Sequence, residues 1–383
     1  MPNTGNRKQL EQVHTSLPIL VAYVLAYRAP RYIRTESLLA ALRSGSGMDV
    51  VVARNQHTGM RRYFETWKAL RQLRTKCAPD IYVLGFRGHE IFWPIRWLTR
   101  GKPLIFDAMM SPYAALRDEH GGSLARRCFA ALVYPFERMM LRHADLVLTD
   151  TQLHSEFYAR TFALPLQHFY AVPVGAIEPK TDPKASAPSE DDAFSILFYG
   201  SFLPLHGVDI IVEAAAQLVD LPIRFNFIGG NKNQAVRLRR HCQTLGVTNF
   251  TYRPWVPFEE LLENTIPETD LCLGGPFGGS PQARRVVTGK TSQCLALGKA
   301  TVIGHIDENY GFIDRINCLI VEQSHASALA ETIRWAYDNR ARLPEIGARG
   351  RILYAKRLST EVIATRLASA LQCLCSRSDA KPT

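Results

Sequence analysis

Residues 198–209 read FYGSFLPLHGVD: an apolar strand, a glycine turn at Gly200 and Ser201, then His206 and Gly207 at the mouth of a helix. That order places backbone N–H groups where a phosphate can sit. Residues 277–304 read FGGSPQARRVVTGKTSQCLALGKATVIG, in which the loop glycines Gly278 and Gly279 lead through Arg284 and Arg285 to Lys290, the opening of an apolar helix. Another strand follows. Either glycine pattern alone says little, because turns need glycine for positive φ whatever they bind. Their order and separation point to the two walls of a diphosphate site, with a cation and a helix N-terminus facing the anion.

Such walls need a scaffold. A chain of 383 residues with 46% hydrophobic residues can bury two ordinary cores. From residue 17 short apolar runs alternate with amphipathic stretches. Strands are expected at 19–25, 49–52, 81–85, 104–106, 146–149 and 170–174, with helices at 32–42, 60–73, 90–98, 124–143 and 153–162 between them. This alternation predicts a parallel sheet covered by helices on both faces. Residues 178–192, EPKTDPKASAPSEDD, read as a linker. Strand and helix then alternate again, with strands at 195–199, 223–228, 250–252, 271–273, 301–303 and 318–321, helices at 208–218, 233–245, 290–297, 326–339 and 360–374, and a further short segment at 259–262. The expected fold class is α/β, two doubly wound Rossmann-like domains with the ligand in the cleft between them, at the carboxyl ends of the strands. The division is 1–16 a disordered arm, 17–178 an acceptor-binding domain, 179–193 the linker, 194–350 a nucleotide-binding domain, and 351–383 a helix crossing back, with a tail.

Charge is unevenly divided. The net +11 falls almost wholly in residues 1–180, which carry 24 Lys and Arg against 14 Asp and Glu; the remainder nearly balances, 22 against 21. An anionic membrane surface or a polyanionic acceptor would suit the first half, and so would an arginine-rich surface serving solubility. Nucleic acid is not indicated, since the basic residues are dispersed and no recognition motif accompanies them. No apolar run approaches the roughly 20 residues that span a bilayer. Residues 17–25 are too short for a signal-peptide core. The expected location is cytoplasmic, with association at the inner face of the plasma membrane as the extension of the charge reading. The eight cysteines lack metal-site or disulfide-framework spacing.

The second half resembles the nucleotide-sugar glycosyltransferases of GT-B fold, specifically the large retaining group (family 4-like, group 1), in its strand, glycine turn, HG pair and following helix. In the first half PLIFDAMMSPY (103–113), HADLVLTDTQLHSEFY (143–158) and VPVGA (172–176) resemble the same family's acceptor side. The resemblance implies transfer of a sugar from a nucleoside diphosphate sugar to an acceptor hydroxyl on a glycan or lipid carrier, in polysaccharide or glycolipid assembly. It implies no cofactor and no metal. Lys290 stands where a family lysine contacts phosphate, His206 where the family often has lysine, and Ser201 where arginine is frequent. Arg285 and Gln293 stand where the family carries two glutamates. Gln293 can still hydrogen-bond ribose hydroxyls, whereas an arginine cannot accept from a sugar hydroxyl. Donor binding is therefore assigned to Gly200, Ser201, His206, Gly207, Gly278, Gly279, Arg284, Arg285, Lys290 and Gln293.

On the acceptor side Asp107 follows a strand at its carboxyl end, where a catalytic carboxylate would orient or deprotonate a hydroxyl; loop capping is the other reading. His89 follows the preceding strand in the same way, as a second catalytic candidate or a turn residue. Arg28, Asp150 and His154 are assigned to acceptor contact, against helix capping by Asp150 or Thr151. The acidic run at 190–192 lies in the linker and reads as a solvated charge run. The apolar helix holding Trp93 and Trp97, flanked by Arg96, Arg100 and Lys102, suits either a lipid interface or a core. Two alternatives to transfer stay open: a sugar-nucleotide epimerase of the same architecture, and a degenerate donor-binding scaffold in a glycan assembly complex.

Overall fold

The structure is a computed structural model and describes residues 18–27, 32–45, 47–118, 124–177 and 193–379. The expected arm, Arg28, the linker with its acidic run, and the last four residues lie outside the described residues. In the first half β1 (Ile19–Val24), β2 (Met48–Ala53), β3 (Ile81–Leu84), β4 (Leu104–Asp107), β5 (Leu146–Thr149) and β6 (Phe169–Ala171) form one parallel sheet in the order β2-β1-β3-β4-β5-β6. In the second half β7 (Phe194–Gly200), β8 (Ile223–Gly229), β9 (Phe250–Arg253), β10 (Leu271–Leu273), β11 (Thr301–Gly304) and β12 (Leu319–Val321) form another, ordered β12-β11-β10-β7-β8-β9. The strands read as nearly continuous apolar runs because helices cover both faces of each sheet.

The helices of the first half are α1 (Ile33–Ser44), α2 (Arg61–Cys77), α3 (Phe92–Leu98), α4 (Pro112–Asp118), α5 (Leu124–His143) and α6 (Gln152–Phe162). Those that follow are α7 (Val208–Ala216), α8 (Lys232–Thr244), the single turn α9 (Phe258–Glu260), α10 (Gly289–Ala296), α11 (Ala326–Asp338), α12 (Leu343–Arg357) and α13 (Thr360–Asp379). On one face of the first sheet Leu38 and Leu42 of α1 pack with Ile363, Leu367, Ala370, Leu371 and Leu374 of α13. The chain's last helix thus completes the core of its first half. The opposite face is closed by α2, α3, α5 and α6, around Leu70, Phe92, Leu141 and Tyr158.

Two helices were not expected from sequence. α4 is one short segment whose start is capped by Ser111, its hydroxyl accepting from the Ala114 amide at 3.1 Å. α12 contains Pro344, Gly347 and Gly350, which read as breakers. Pro344 stands in the first turn, where its missing N–H costs nothing. A Cβ on Gly347 would lie 2.0 Å from the Gly298 carbonyl oxygen, so this glycine serves close packing of α12 on the turn after α10.

In the second sheet the strand order reverses between β7 and β10. Loops leaving the carboxyl ends of two such strands diverge to opposite sides and open a crevice, the usual ligand position in doubly wound sheets. Gly200 ends β7, and Gly274 follows β10. Both glycine-rich segments therefore meet at one switch point.

Candidate functional site

The two loops touch backbone to backbone. Gly200, at φ +142°, ends β7, and its carbonyl accepts from the Gly230 amide at 3.0 Å. The turn Pro204–His206 leads to Gly207, at φ +65°, which opens α7. Against this turn lies the loop after β10, the Gly278 amide donating to the Leu205 carbonyl at 3.0 Å. A Cβ on Gly278 would stand 2.2 Å from the Pro204 oxygen, and one on Gly207 only 2.6 Å from the Gly278 nitrogen. Neither neighbour is a side chain that can swing aside. Gly278→Ala and Gly207→Ala should each cost about 1–3 kcal/mol and spread the loops. Circular dichroism melts with a nucleotide titration would show it; wild-type stability and affinity would mean the loops do not define the site.

Lys290 arrives from the other wall. The Thr288 hydroxyl accepts from the Thr291 amide at 3.2 Å, capping α10, and donates to the Gly274 carbonyl at 2.7 Å, fastening the helix start to the end of β10. Lys290 lies in the first turn of α10, 7% exposed, its ammonium 5.4 Å from the Phe198 ring centroid. A Cβ placed on Gly200 would meet Lys290 Nζ at 3.4 Å and His206 Cε1 at 3.7 Å, so both side chains converge on the same point of β7. Burial pulls the Lys290 ammonium down to about 7. Burial, and then the Lys290 charge, hold the His206 imidazole well below its usual value. His206 is therefore neutral near pH 7, a hydrogen-bonding ring rather than a second cation, and its Nδ1 is buried without a partner among the described residues. No carboxylate pairs with Lys290 among the described residues. A desolvated cation, an unpaired imidazole nitrogen and the start of α10 together suit an anion.

The other expected residues divide. Ser201 is exposed at the mouth of the turn, and Gly279 is tight against Ser324. Arg284 turns to the surface, pairing with Asp307 at 3.2 Å and Glu322 at 2.8 Å; it is neutralised there instead of reaching the anion site. Arg285 leans across onto the first half, its guanidinium 3.9 Å from the Phe157 ring centroid, while its backbone carbonyl accepts from Thr151. Gln293 is fully buried, and its amide makes two 2.9 Å bonds with the Ile177 backbone, donating to the carbonyl and accepting from the N–H. It is a rivet between α10 and the segment joining the halves, and the expectation that it meets a ribose is corrected on that ground. Nearby Ser292 donates to the Val174 carbonyl at 2.6 Å, and the Leu153 amide to Glu308 at 2.9 Å.

The acceptor-side expectations also change. Asp107 is fully buried, and Arg34 grips it, Nη2 at 2.9 Å and Nε at 3.1 and 3.2 Å from its two oxygens. The rest of that guanidinium donates to the carbonyls of Thr149, Val172 and Pro173, so one side chain ties together the ends of β4, β5 and β6. Arg34 was not singled out from sequence, since nothing in a helical run marks an arginine as buried. Asp107 thus presents no oxygen to a ligand in this conformation. His89 is turned inward against Phe106, its Nε2 without a hydrogen-bond partner among the described residues and 3.9 Å from Glu137. Burial lowers the His89 imidazole to about 4 and raises the Glu137 carboxyl to about 7. Asp150 and His154 are buried and bonded to each other at 2.6 Å, and the α6 cap is Thr151, which accepts from the His154 amide. Capping, one of the two readings, describes this pair of turns.

A surface cavity of about 290 Å³ opens between the starts of α7 and α8, lined by Phe202, Gly207, Gln234 and Arg237. It shares Gly207 with the anion site but does not include Lys290.

No protein-family model matches the chain, and neither does any curated protein. Solved structures do. Sucrose-phosphate synthase from Thermosynechococcus elongatus matches with TM-score 0.70 at 16% identity, over 94% of this chain and 100% of that one. Anabaena HepE, in complex with UDP-glucose, matches with TM-score 0.65 at 13% identity, over 92% and 99%. A glycosyltransferase from Rickettsia africae matches with TM-score 0.60 at 11% identity, over 94% and 99%. Similarity at such identities establishes architecture, and with two parallel six-stranded sheets, the second with its switch point at Gly200 and Gly274, this chain has the GT-B fold.

Proposed function

We propose that this protein is a glycosyltransferase of hexosyltransferase type. It moves a sugar from a nucleoside diphosphate sugar to an acceptor hydroxyl, with retention at the anomeric carbon, during assembly of a polysaccharide or glycolipid. The carrying observation is the convergence of Lys290 and His206 over Gly200 at the switch point, a cation buried without a counter-charge. HepE, similar in fold, is described as binding UDP-glucose. Retention and the biosynthetic setting rest on the family resemblance of the sequence.

In the reaction the bond from the anomeric carbon to the diphosphate oxygen breaks as a bond to the acceptor oxygen forms, and the hydroxyl proton passes to the departing phosphate. Negative charge grows on that diphosphate. Lys290, His206 and the amides at the start of α10 stabilise it where it appears, which lowers the barrier to departure. No metal enters this reading.

A lysine held near 7 makes donor affinity depend on pH. Below pH 7 Lys290 is charged before the ligand arrives; above it, binding must first draw a proton from solvent. Affinity for a nucleoside diphosphate should fall by up to tenfold per pH unit above 7, with net proton uptake at about pH 8. Calorimetry in two buffers of different ionisation enthalpy reads this, and pH-independent binding would count against Lys290 as the phosphate contact. The proposal itself is tested by thermal shift with UDP and other nucleoside diphosphates, then by turnover of the stabilising nucleotide's sugars with an acceptor panel. A lack of any nucleotide-induced shift would sink it.

A further inference from the structure

The largest unexplained feature of the surface is α5. Phe129, Leu132, Phe136 and Met139, spaced three and four residues apart, form one stripe along its outer side, with Leu132 65% and Phe136 59% exposed. Ala130, Glu137 and Leu141 face the core from the other side. α3 packs beside this helix, and its Trp93 ring contacts His143 at 5.3 Å. Phe92, Ile95 and Leu98 of α3 are buried, whereas Trp93 and Trp97 stand outside, so its tryptophans extend the α5 stripe instead of entering the core. Exposed Arg100, Arg126 and Arg142 border this face, and none has a carboxylate partner among the described residues.

We propose that the outer face of α5, with Trp93 and Trp97 of α3, docks this protein on an anionic lipid bilayer. A contiguous apolar face of this size is rare on a monomer without a partner. The arginines decide which partner. A second copy seated on the same face would bring these arginines against their own equivalents, which like charge opposes. A phosphate headgroup layer supplies the missing anions, while Phe and Leu reach the acyl boundary and the tryptophans lie at headgroup depth. No helix among the described residues is long and apolar enough to cross a membrane, so the contact lies along the surface. Docking needs neither Lys290 nor His206, and its failure is separable from failure of the sugar-transfer reading.

The test is flotation of the full chain with vesicles of phosphatidylcholine alone and of phosphatidylcholine with an equal part of phosphatidylglycerol. Wild type should float with the anionic vesicles only, less so as salt is added. Leu132→Asp and Phe136→Asp should each reduce partitioning by about tenfold or more. Arg126→Glu and Arg142→Glu should each reduce it roughly fivefold. Both substitution types sit on exposed positions, and an unchanged nucleotide-induced thermal shift would show the fold and donor site intact. Equal binding to both vesicles, binding untouched by the aspartates, or no binding by wild type would each overturn the proposal. So would a wild-type dimer that the aspartates dissociate without any vesicle binding.

Discussion

Lys290→Met should strongly weaken nucleoside diphosphate binding and slow turnover while making the unliganded protein more stable. The two effects share one cause. In the folded chain burial holds this ammonium at about 7 against an ordinary 10.5, so between those values the unfolded chain carries the extra proton. Wild-type stability consequently rises with pH across that window, and the full cost of the buried charge is present below pH 7. Methionine has similar reach and no charge to desolvate. The variant should gain on the order of a few kcal/mol at neutral pH, with the pH slope between 7 and 10.5 flattened. Turnover should fall about 10²- to 10³-fold, the usual loss when a preorganised group facing developing negative charge is removed. Thermal melts across pH with and without UDP measure both. A variant that still shows the wild-type ligand shift would remove Lys290 from the site, and one with no gain in stability would mean that the lysine is solvated or paired in solution.

Asp107→Ala should destabilise the first half by about 3–5 kcal/mol, because it leaves the Arg34 guanidinium charged, buried and short of its partner. Burial raises the Asp107 carboxyl, whereas Asp107 raises the Arg34 guanidinium against its own burial; both charges are desolvated, and that desolvation offsets much of their attraction. The pair's net contribution is accordingly small although breaking it is costly. Replacing both, Arg34→Met with Asp107→Leu, should recover only part of the loss, because the Thr149, Val172 and Pro173 carbonyls lose their donor, and the double-mutant cycle should still show coupling. Urea unfolding followed by far-ultraviolet circular dichroism provides the stabilities. The opposite result, a stable Asp107→Asn variant that has lost turnover alone, would return Asp107 to the acceptor hydroxyl.

The parts of the proposed anion site were legible in the sequence because they are local. Glycines at 200, 207 and 278 mark sharp or crowded backbone, and a lysine two residues after the Thr288 cap marks a helix mouth. Thr288 itself could have been found, as a threonine three residues before Thr291 at the start of an apolar run. Gln293 could not. Its position midway along α10 suits a ribose contact equally well until Ile177, distant in sequence, is seen to take both ends of its amide. Arg34 and Asp107 are hidden for the same reason, since their partnership joins α1 to β4 across 73 residues.

By itself the sequence determined the strands and most of the helices, that two parallel sheets repeat along the chain, and that glycine-rich loops and a lysine stand near strand ends, the usual ligand position of such sheets. Periodicity and turn chemistry are properties of neighbouring residues, so they survive in one dimension. Only the tertiary structure decided which polar side chains are spent on holding the halves together and that the apolar stripe of α5 faces outward. Those outcomes depend on what each residue meets across the fold, and burial sets both the cost of a charge and the availability of its hydrogen bonds.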